Sequence, residues 1–335
     1  MKSKKKIYKI GIIGCGGIGS KRSKSLGQNG MLVACADIDI SRAENVAKDS
    51  KAKTFKNWQE VINLDEIDIV IISTTHDKLS DIAIESINSN KHVLIEKPSG
   101  KTSFEIKKII DASKETDVKV RVGFNHRYHP SIIKAKEIIE SGALGELMFL
   151  RARYGHGGRV GYDKEWRAKP EISGGGELID QGSHLIDLSR MFLGDFDEVN
   201  GLAHTFYWDM PVDDNAFMLL RTNKKQVAFL HASCTEWKNL FSMEIYGRDG
   251  KLDINGLGGS YGIENLTHYR MLPEMGPPIK NNWEYKSDVS WANEINEFYE
   301  DIYLDRRPAV GLNDAFESIK IVEKIYKESG YDYIS

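Results

Sequence analysis

Short apolar runs alternate with longer segments of helical periodicity along the first third of the chain. The apolar runs are rich in Val and Ile and occupy residues 7–13, 31–37, 67–73, 92–98 and 118–124. Between them, helical spacing of apolar residues marks 20–28, 79–88 and 104–114. Near-continuous β-branched runs separated by helices are typical of a parallel sheet covered on both faces, whose ligands bind at the carboxyl ends of the strands.

The pattern changes after Pro130. A helical segment to about residue 141 and a strand from residue 146 precede several alternating segments: NAFMLLRT, QVAFLHASCTEW, FSMEIYGRDG and KLDIN. Turns at TNKK and GRDGK join these segments as hairpins, and two helical segments, 289–304 and 313–329, close the chain. We therefore predict an α/β protein, with a doubly wound parallel sheet in residues 1–126 and an α/β domain with a largely antiparallel open sheet in residues 127–335.

The loop after the first apolar run reads GCGGIG and stands between a predicted strand and a predicted helix. In this context the motif is typical of a dinucleotide-binding turn. Gly14 allows the tight turn, Gly16 allows the backbone to approach a pyrophosphate, and Gly19 allows close packing of helix on strand. Gly17 and Ile18 lie at the helix N-terminus, where unpaired N–H groups and the positive end of the helix dipole favour phosphate.

Asp37 ends the second apolar run, 18 residues beyond Gly19. An acidic residue near this distance hydrogen-bonds the adenosine ribose and would repel a 2′-phosphate, so we predict NAD as the cofactor, with NADP possible. Arg42 keeps the second option open because it could serve a phosphate. An aspartate at a strand end is also a common turn former.

Composition excludes several classes of partner. The net charge of −3 provides no excess of positive charge for binding nucleic acid. Cys15, Cys35 and Cys234 form neither a disulfide framework nor a zinc-binding spacing, and we predict no metal site. The lysines at the start imitate a secretory signal, but glycines soon break the apolar run, and no segment approaches the ~20 apolar residues of a membrane span. We expect a cytoplasmic protein that contacts no membrane.

The stretch GGGELIDQGSHLIDLSR, which starts at residue 174, predicts a helix with two faces. Asp180, His184 and Asp187 fall within one narrow sector at roughly 3.6 residues per turn. A different sector gathers the apolar side chains, namely Leu178, Leu185, Leu188 and Phe192. For an isolated carboxylate and histidine, a polar face in water is the simpler explanation.

Several motifs together resemble the glucose-fructose oxidoreductase, inositol dehydrogenase and rhizopine-catabolism family, written Gfo/Idh/MocA. They are GCGGIG, EKP at 96–98, GFNHRYHP at 123–130, GGGELIDQGSHLIDLSRMFLG and the closing RPAVGLNDAFESIKIVEKIYKES. The resemblance implies an N-terminal Rossmann domain that binds a nicotinamide cofactor and a C-terminal α/β domain whose open sheet makes a homodimer or homotetramer interface. It also implies a catalytic set of Lys97, Asp180 and His184.

One loop departs from the family pattern. Many relatives read like TPNxxH after the third predicted strand, whereas this chain reads TTHDKLS. Thr75 and His76 replace proline and asparagine, and Ser80 occupies the usual histidine position. The contacts of this loop to the nicotinamide ribose are therefore left open.

Hydride transfer at a carbinol carbon requires movement of the hydroxyl proton. A histidine suits this task because its pKa lies near neutrality. We assign His184 as acid/base, Lys97 as the group that polarises the oxygen, and Asp180 as the group that orients the histidine. On its own, EKP is most simply a surface turn.

Further contacts are expected where the predicted strands end and in one loop. We predict that the cofactor is bound by Gly14, Gly16, Gly17, Ile18, Gly19, Asp37, Arg42, Thr74, Thr75, Glu96 and Lys97. The loop GHGGRVGYDKEWRAKPEIS offers aromatic and arginine side chains that suit a polyhydroxylated ring, with or without an attached anionic group such as a nucleotide diphosphate. We predict that the substrate is bound by Asn125, Arg127, Arg159, Tyr162, Trp166 and Arg167. Trp166 equally fits an anchor of the loop to the core, and His231 and Trp237 are weaker candidates.

These features predict an NAD-dependent dehydrogenase or reductase that acts on a sugar, polyol or sugar nucleotide. Two alternatives stay open at this point. One is a glycosidase that uses NAD through transient oxidation of a sugar, and the other is a cofactor-binding sensor without catalysis. The sequence names neither the sugar, the carbon oxidised nor the direction of the reaction.

Overall fold

The computed structural model describes residues 6–332, so most of the lysine-rich start lies outside the described residues. Contacts divide the chain into two units. The first holds the described residues up to Phe124 together with Trp291–Glu317, and the second holds Asn125–Ser290 with the described residues from Ser318 onward. The domain division at residue 126 stays a prediction, and it does not include the return of 291–317 to the first unit.

The first unit is built on a sheet of six parallel strands. In chain order they are β1 (Tyr8–Ile13), β2 (Gly30–Ala36), β3 (Lys53–Phe55), β4 (Ile69–Ile72), β5 (His92–Glu96) and β6 (Val120–Gly123). Across the sheet the order is β3-β2-β1-β4-β5-β6, which reverses between β1 and β4. In a doubly wound sheet the crevice at this reversal is the place where ligands bind.

The second unit is built on a sheet of eight strands. They are β7 (Leu147–Gly155), β8 (Glu198–His204), β9 (Asn215–Arg221), β10 (Val227–Ser233), β11 (Leu240–Gly247), β12 (Gly250–Asn255), β13 (Glu264–Arg270) and β14 (Ile279–Tyr285). The order is β14-β13-β12-β11-β7-β10-β9-β8. β7 and β10 run parallel, and the other neighbours in this part of the described chain are antiparallel. The predicted fold class is confirmed.

Helices connect and cover these sheets. They are α1 (Gly17–Lys24), α2 (Ile40–Ala47), α3 (Trp58–Ile62), α4 (His76–Asn88), α5 (Ser103–Lys114), α6 (Pro130–Glu140), α7 (Pro170–Ser173), α8 (Ser183–Leu193), α9 (Ser290–Tyr303) and α10 (Leu312–Glu328). All four residues of β4 are buried, as expected for a strand covered on both faces. Phe298 and Tyr299 of α9 complete the core beside β1.

The boundaries of two helices differ from the predicted ones for local reasons. α1 begins at Gly17 rather than at residue 20, because the glycine motif itself forms the first helical turn. α4 begins at His76 rather than at residue 79, because Thr75 in an extended conformation takes the N-cap position. The sequence interpretation also missed β3, which has three residues, and the edge strand β14, whose side chains are mostly exposed and polar.

Within residues 6–332, no helix combines the length and the apolar character that crossing a membrane requires.

Candidate active site

The glycine motif joins β1 to α1 and leaves open space in which a ligand can approach the protein backbone. Gly14 has φ +87°, and a Cβ there would lie 2.5 Å from the carbonyl oxygen of Ser73. A Cβ on Gly19 would lie 2.0 Å from the carbonyl oxygen of Gly14. Around Gly16 and Gly17, by contrast, a Cβ would meet no atom within 4 Å. Two glycines are therefore required by packing, and two leave the room that a pyrophosphate at the start of α1 needs.

Asp37 follows β2 and fastens the glycine loop. Its carboxylate accepts hydrogen bonds from the backbone N–H of Cys15 at 2.8 Å and of Asp39 at 2.9 Å. Each oxygen keeps a further lone pair, so the side chain can still accept from a ribose hydroxyl. Arg42 lies on α2 with a largely exposed side chain, and its Nε is 3.4 Å from the carboxylate of Asp39.

The atypical loop after β4 forms the start of α4. Thr75 donates its hydroxyl to the carboxylate of Asp77 at 2.6 Å, and Thr74 donates to the carbonyl of Thr75 at 3.2 Å. Ser80 is buried and donates to the carbonyl of Glu105 at 3.2 Å. The hydroxyl of Ser80 therefore packs α4 against α5.

Glu96, the first residue of the EKP motif, forms a buried ion pair. The Nε of Arg22 on α1 donates to its Oε1 at 2.6 Å. A second guanidinium nitrogen of Arg22 bonds Glu294 on α9, and the Trp291 ring lies 4.5 Å from the guanidinium carbon. Glu96 thus ties the end of β5 to α1, a structural role that the sequence interpretation missed. Lys97 follows directly and is half-buried, with a cis peptide bond to Pro98.

The glycine-led stretch of the second unit makes close backbone contacts before its helix. A Cβ on Gly175 would lie 2.3 Å from the hydroxyl of Tyr326, and one on Gly176 would lie 1.9 Å from the carbonyl of Asp213. The carboxylate of Asp213 accepts from the N–H of Gly176 at 2.9 Å and of Leu178 at 2.8 Å. Leu178–Gly182 then forms a π-helical turn that runs into α8. Such turns occur frequently at functional sites.

The polar sector of this segment is buried, so the simpler expectation of a polar face in water is wrong. Asp180 is 8% exposed and His184 is 5% exposed. The Nε of Arg167 lies 3.0 Å from Oδ2 of Asp180. Arg127 holds Asp187 through two hydrogen bonds, of 2.7 and 2.5 Å. Arg127 thus pairs with a buried carboxylate. Arg167, also a predicted substrate-binding residue, pairs with Asp180.

Aromatic rings surround His184. Its ring is stacked on that of His126, with 3.8 Å between centroids and 16° between planes. Tyr154 on β7 meets both rings edge-on. Burial, with Tyr261 nearby, raises the pKa of the Tyr154 hydroxyl well above its ordinary value. Tyr154 is therefore neutral at physiological pH.

The loop after β7 is anchored to the glycine-led segment. Tyr162 is buried and donates its hydroxyl to Oε1 of Glu177 at 2.7 Å. Nε2 of His156 lies 3.5 Å from the same oxygen. Burial disfavours the charged ring of His156, but the hydrogen bond and the charge of Glu177 outweigh burial, so the pKa of His156 is raised. Tyr162 therefore has a core position that fixes the loop.

Other predicted substrate residues lie in varied surroundings. Arg159 is 62% exposed on its side chain and pairs with Glu165 at 2.5 Å. The guanidinium of Arg167 stacks over the Trp166 ring at 4.5 Å. Asn125 is buried and donates to the hydroxyl of Ser290 at 3.0 Å.

The two weaker substrate-binding candidates, His231 and Trp237, differ in their surroundings. His231 is half-buried, bonds the side-chain oxygen of Asn215 at 2.9 Å, and stacks on Phe217 at 4.4 Å. Trp237 is 64% exposed, with its backbone at φ +57°. A bulky residue rarely takes this left-handed conformation.

Three site residues were missed by the sequence interpretation. They are Tyr154, Glu177 and Tyr261. Two signals were present: an acidic residue inside the glycine-led stretch, and the run GLGGSYG, in which one tyrosine stands among four glycines. Tyr154 carried no signal, because a tyrosine in an alternating strand is an ordinary core residue.

No group of three or more His, Cys, Asp and Glu residues suited to a metal ion occurs in the described part of the chain.

The second unit offers a buried imidazole, a buried carboxylate and fixed arginines, a set that can move a proton and hold hydroxyl groups. The first unit offers an open glycine loop and an acidic residue at the end of β2, which fit a dinucleotide.

Comparison with protein families gives matches to both units. A model described as an oxidoreductase family with an NAD-binding Rossmann fold matches residues 8–124, and a model of the GFO/IDH/MocA C-terminal domain matches residues 132–253. Together the two matches cover more than half of the chain.

Similarity to individual proteins supports the same family. The chain is 31% identical over 310 residues to an inositol 2-dehydrogenase of Salmonella paratyphi B, which covers 90% of this chain and 88% of the relative. It is 27% identical over 284 residues to a levoglucosan dehydrogenase of Pseudarthrobacter phenanthrenivorans, 73% of each protein. A solved levoglucosan dehydrogenase in complex with NADH and levoglucosan has the same fold, with a TM-score of 0.88 at 21% identity over 97% of this chain and 98% of that chain. The predictions of the family, of NAD and of an oxidoreductase are confirmed: the chain belongs to the Gfo/Idh/MocA family of NAD-binding oxidoreductases.

Proposed function

We propose that this enzyme interconverts a hydroxyl and a keto group on a sugar, polyol or sugar nucleotide, with Lys97, Asp180 and His184 as its catalytic residues. Two similar proteins are named for substrates of this kind, inositol and levoglucosan. Arginine and hydroxyl-bearing side chains close to Asp180 suit the same class of ligand.

The observation that carries the proposal is the burial of Asp180 and His184 on one helical segment. Burying a carboxylate costs free energy unless it is paired and hydrogen-bonded, and Arg167 provides that pairing at 3.0 Å. Apolar residues are the usual occupants of buried helix positions that serve packing alone. A buried acid beside a buried base is therefore best explained by chemistry.

Each residue has a distinct task. When bound, NAD exchanges a hydride with the carbinol carbon of the substrate. His184 takes the hydroxyl proton during oxidation and returns it during reduction. Asp180, held by Arg167, orients the imidazole or a substrate hydroxyl. The ammonium group of Lys97 donates a hydrogen bond to the reacting oxygen.

A substrate panel tests the proposal. Sugars, polyols and nucleotide sugars, with myo-inositol and levoglucosan among them, are incubated with NAD or NADP, and reduced nicotinamide is followed by absorbance. We expect turnover of at least one polyhydroxylated compound with NAD. Release of a free sugar from a glycoside without net reduction of NAD would instead identify a glycosidase. No reaction with any compound, in a protein that still binds NADH, would favour a sensor.

Substitution of Lys97 tests the residue assignment. We expect Lys97→Ala to lower kcat by about 100-fold or more while NADH affinity, measured by fluorescence, changes little. Lys107→Ala is the matched control, because that lysine is half-exposed on α5 and pairs with Asp111. A Lys97→Ala enzyme as active as the control would refute the assignment.

The open sheet of the second unit supports a homodimer or homotetramer as a further proposal. Apolar side chains lie side by side on one exposed face: Leu202 pairs with Phe217, and Leu219 pairs with Phe229, in register across β8, β9 and β10. All four are at least about a third exposed. Contiguous apolar surface on a sheet marks an interaction site, and a second copy of the same face would cover it.

A cytoplasmic location is likewise proposed. It is supported by the three cysteines, which are buried free thiols, as expected in a reducing compartment.

A further inference from the structure

Three loops of the second unit leave its sheet at one edge. β7 and β10 run parallel, and β8 has the same direction, because β8 and β10 are both antiparallel to β9. The loops that follow these three strands, 156–169, 205–214 and 234–239, therefore start from the same edge. The glycine-led stretch joins this edge through the N–H of Glu177, which donates to the carbonyl of Asp213 at 3.1 Å.

Two large aromatic side chains of these loops are exposed. Tyr207 is 61% exposed and Trp237 is 64% exposed. Their ring centroids lie 4.7 Å apart, and their planes are at 85° to each other. The two rings therefore form a corner with faces turned in two directions, and we call Tyr207 and Trp237 the aromatic corner.

A buried carboxylate fixes the backbone that presents Tyr207. Asp214 accepts hydrogen bonds from three successive backbone N–H groups, those of Phe206 at 2.8 Å, Tyr207 at 2.7 Å and Trp208 at 3.0 Å. The indole N–H of Trp208 donates to the carbonyl of Cys234 at 3.1 Å and ties this loop to the one that carries Trp237. The loop is thus ordered before a ligand binds, which lowers the entropic cost of binding.

The backbone of Trp237 is also held by its neighbours. Its φ of +57° is a conformation that a bulky residue rarely adopts. Gly157 packs directly against it, since a Cβ on Gly157 would lie 2.9 Å from the Trp237 backbone. The adjacent N–H of Glu236 donates to the carbonyl of His156 at 3.0 Å. Strain of this kind persists where the surroundings enforce it, and it clusters at ligand-binding sites.

Ring contacts connect the aromatic corner to the proposed active site within this unit. Trp208 meets Tyr207 edge-on at 5.3 Å, and the centroids of Trp208 and Tyr162 lie 5.7 Å apart. Tyr162 in turn donates to Glu177, which stands three residues before Asp180. Two inner rings therefore separate the exposed corner from the segment that carries Asp180.

The charges around the aromatic corner do not suit an anionic group. The three loops contain five lysines and arginines against six aspartates and glutamates. Arg159 is paired with Glu165 at 2.5 Å, and Arg167 is paired with Asp180 at 3.0 Å. Because a diphosphate is recognised by a surplus of cationic side chains, this balance favours an uncharged ligand.

We propose that the aromatic corner binds an uncharged second ring of the substrate, so that this enzyme prefers a disaccharide or glycoside to a single sugar ring or a nucleotide sugar. The inference rests on the proposed function. The C–H face of a pyranose is apolar and weakly positive, so it stacks on the negative face of an aromatic ring while its hydroxyl groups stay in water. Tyr207 and Trp237 thereby determine specificity by contacting the ring that does not react.

Saturation-transfer NMR tests this preference in the full chain with NADH bound. Glucose, myo-inositol and levoglucosan serve as one-ring probes, and maltose, cellobiose and sucrose serve as two-ring probes that contain glucose. We expect at least one two-ring probe to bind about 10-fold more tightly than glucose, the order of effect of one aromatic stack. UDP-glucose should bind no more tightly than glucose, and a clear preference for UDP-glucose would overturn the proposal.

Substitution of Trp237 tests the residue that carries the preference. Trp237→Asn removes the ring and introduces a residue type that tolerates the left-handed backbone. It should abolish the advantage of the two-ring probe and leave glucose affinity unchanged, whereas Trp237→Phe should retain most of the advantage. Trp283→Asn is the matched control, because Trp283 lies on the edge strand β14, and it should change neither affinity.

Two results would refute the second-ring site. One is a wild type in which no two-ring probe binds more tightly than glucose. The other is an advantage that survives in both Trp237→Asn and Tyr207→Ala. A lower mass of Trp237→Asn in light scattering, with unchanged sugar affinities, would identify the aromatic corner as an interface between two copies and would also contradict the proposal.

The outcome is distinguishable from that of the proposed function. Ring-dependent binding without turnover of any probe would refute the enzyme assignment but keep the second-ring site. Turnover of a one-ring compound, with no preference for two rings, would keep the proposed function and refute this inference. Where a glycoside is turned over, Trp237→Asn should raise its KM by about 10-fold and leave kcat unchanged, because the stack contributes equally to ground-state and transition-state binding.

Discussion

Three buried carboxylates of the second unit have different environments, and these environments decide what each one does. Asp180, on the same segment as the candidate base, pairs with Arg167. Glu177 fixes the loop after β7 through Tyr162. Asp213 accepts hydrogen bonds from backbone N–H groups and from the hydroxyl of Tyr326, but no cation pairs with it in the described structure. The same chemical group thus has a proposed catalytic role at one position, anchors a loop at another and supports the backbone at a third.

The pH dependence of stability tests the environment of Asp213. Burial raises the pKa of its carboxyl to about 7 from an ordinary value of 3.8, although the hydrogen bonds oppose the rise. The folded state then holds a proton that the unfolded state releases, so this group stabilises the fold at low pH. The stabilisation is lost as pH rises from about 4 to about 7, by about 1 kcal/mol per pH unit. Asp213→Asn, which cannot titrate, should lack this contribution.

Urea unfolding of the wild type and of Asp213→Asn between about pH 5 and pH 8 provides the measurement. The difference between the two free energies of unfolding should shrink as pH rises toward 7, because only the wild type loses stability through this group. Parallel curves would show that Asp213 is already ionised at the lower pH.

At this scale the sequence indicated residue types better than residue environments. The Asp180 and His184 pattern was visible, but spacing alone favoured a face in water. Burial of that face depends on β7 and on the loop that carries Arg167, which are distant in sequence. Arg127 and Glu96 were assigned to ligands, whereas the structure shows each in a buried ion pair with a protein partner.

At the scale of elements, the glycine motif shows how one loop combines two requirements. Gly14 and Gly19 are glycine because protein atoms occupy the space of a Cβ. Gly16 has open space instead. This difference separates folding from cofactor binding, two effects that the motif alone does not distinguish.

Alanine substitutions in the motif test this separation. Gly16→Ala should change the melting temperature little and weaken NADH binding by about 10-fold or more, because the added methyl group fills the space for a pyrophosphate. Gly19→Ala should lower the free energy of unfolding by about 3 kcal/mol or more, because its Cβ overlaps a backbone carbonyl. Differential scanning fluorimetry and NADH fluorescence separate the two effects. Equal loss of stability in both variants would contradict the assignment.

The helices and strands themselves were largely predictable from the sequence. Long runs of β-branched residues and helical spacing are local properties, and β1, β4 and β5 follow directly from them. The π-helical turn at Leu178–Gly182 was not predicted. The glycines that precede it lie close to Tyr326 and Asp213, which are distant in the sequence.

At the scale of the whole molecule, the exposed face of the second sheet sets an expectation for assembly. Phe229→Glu places a charge in the centre of the apolar patch, where burial against a second copy would be costly. We expect the wild type to elute as a dimer or tetramer in size-exclusion chromatography with light scattering, and Phe229→Glu to shift toward the monomer. Glu284→Lys on the edge strand β14 is the control and should not change the mass.

A monomeric wild type, or a variant with an unchanged mass, would contradict the proposed interface. Circular dichroism should be the same in both proteins, because Phe229 is half-exposed and contributes little to the core of its own chain.

The sequence by itself determined the two kinds of sheet, the glycine loop and the residue types of the site. These follow from hydrophobic periodicity and from motifs in which neighbouring residues act together. Only the tertiary structure decided that His126 stacks on His184, that Tyr162 and Arg167 reach the glycine-led segment, and that 291–317 returns to the first unit. Those contacts join residues far apart in the chain, and their pairing is selected by packing of the complete fold, a property that no local pattern records.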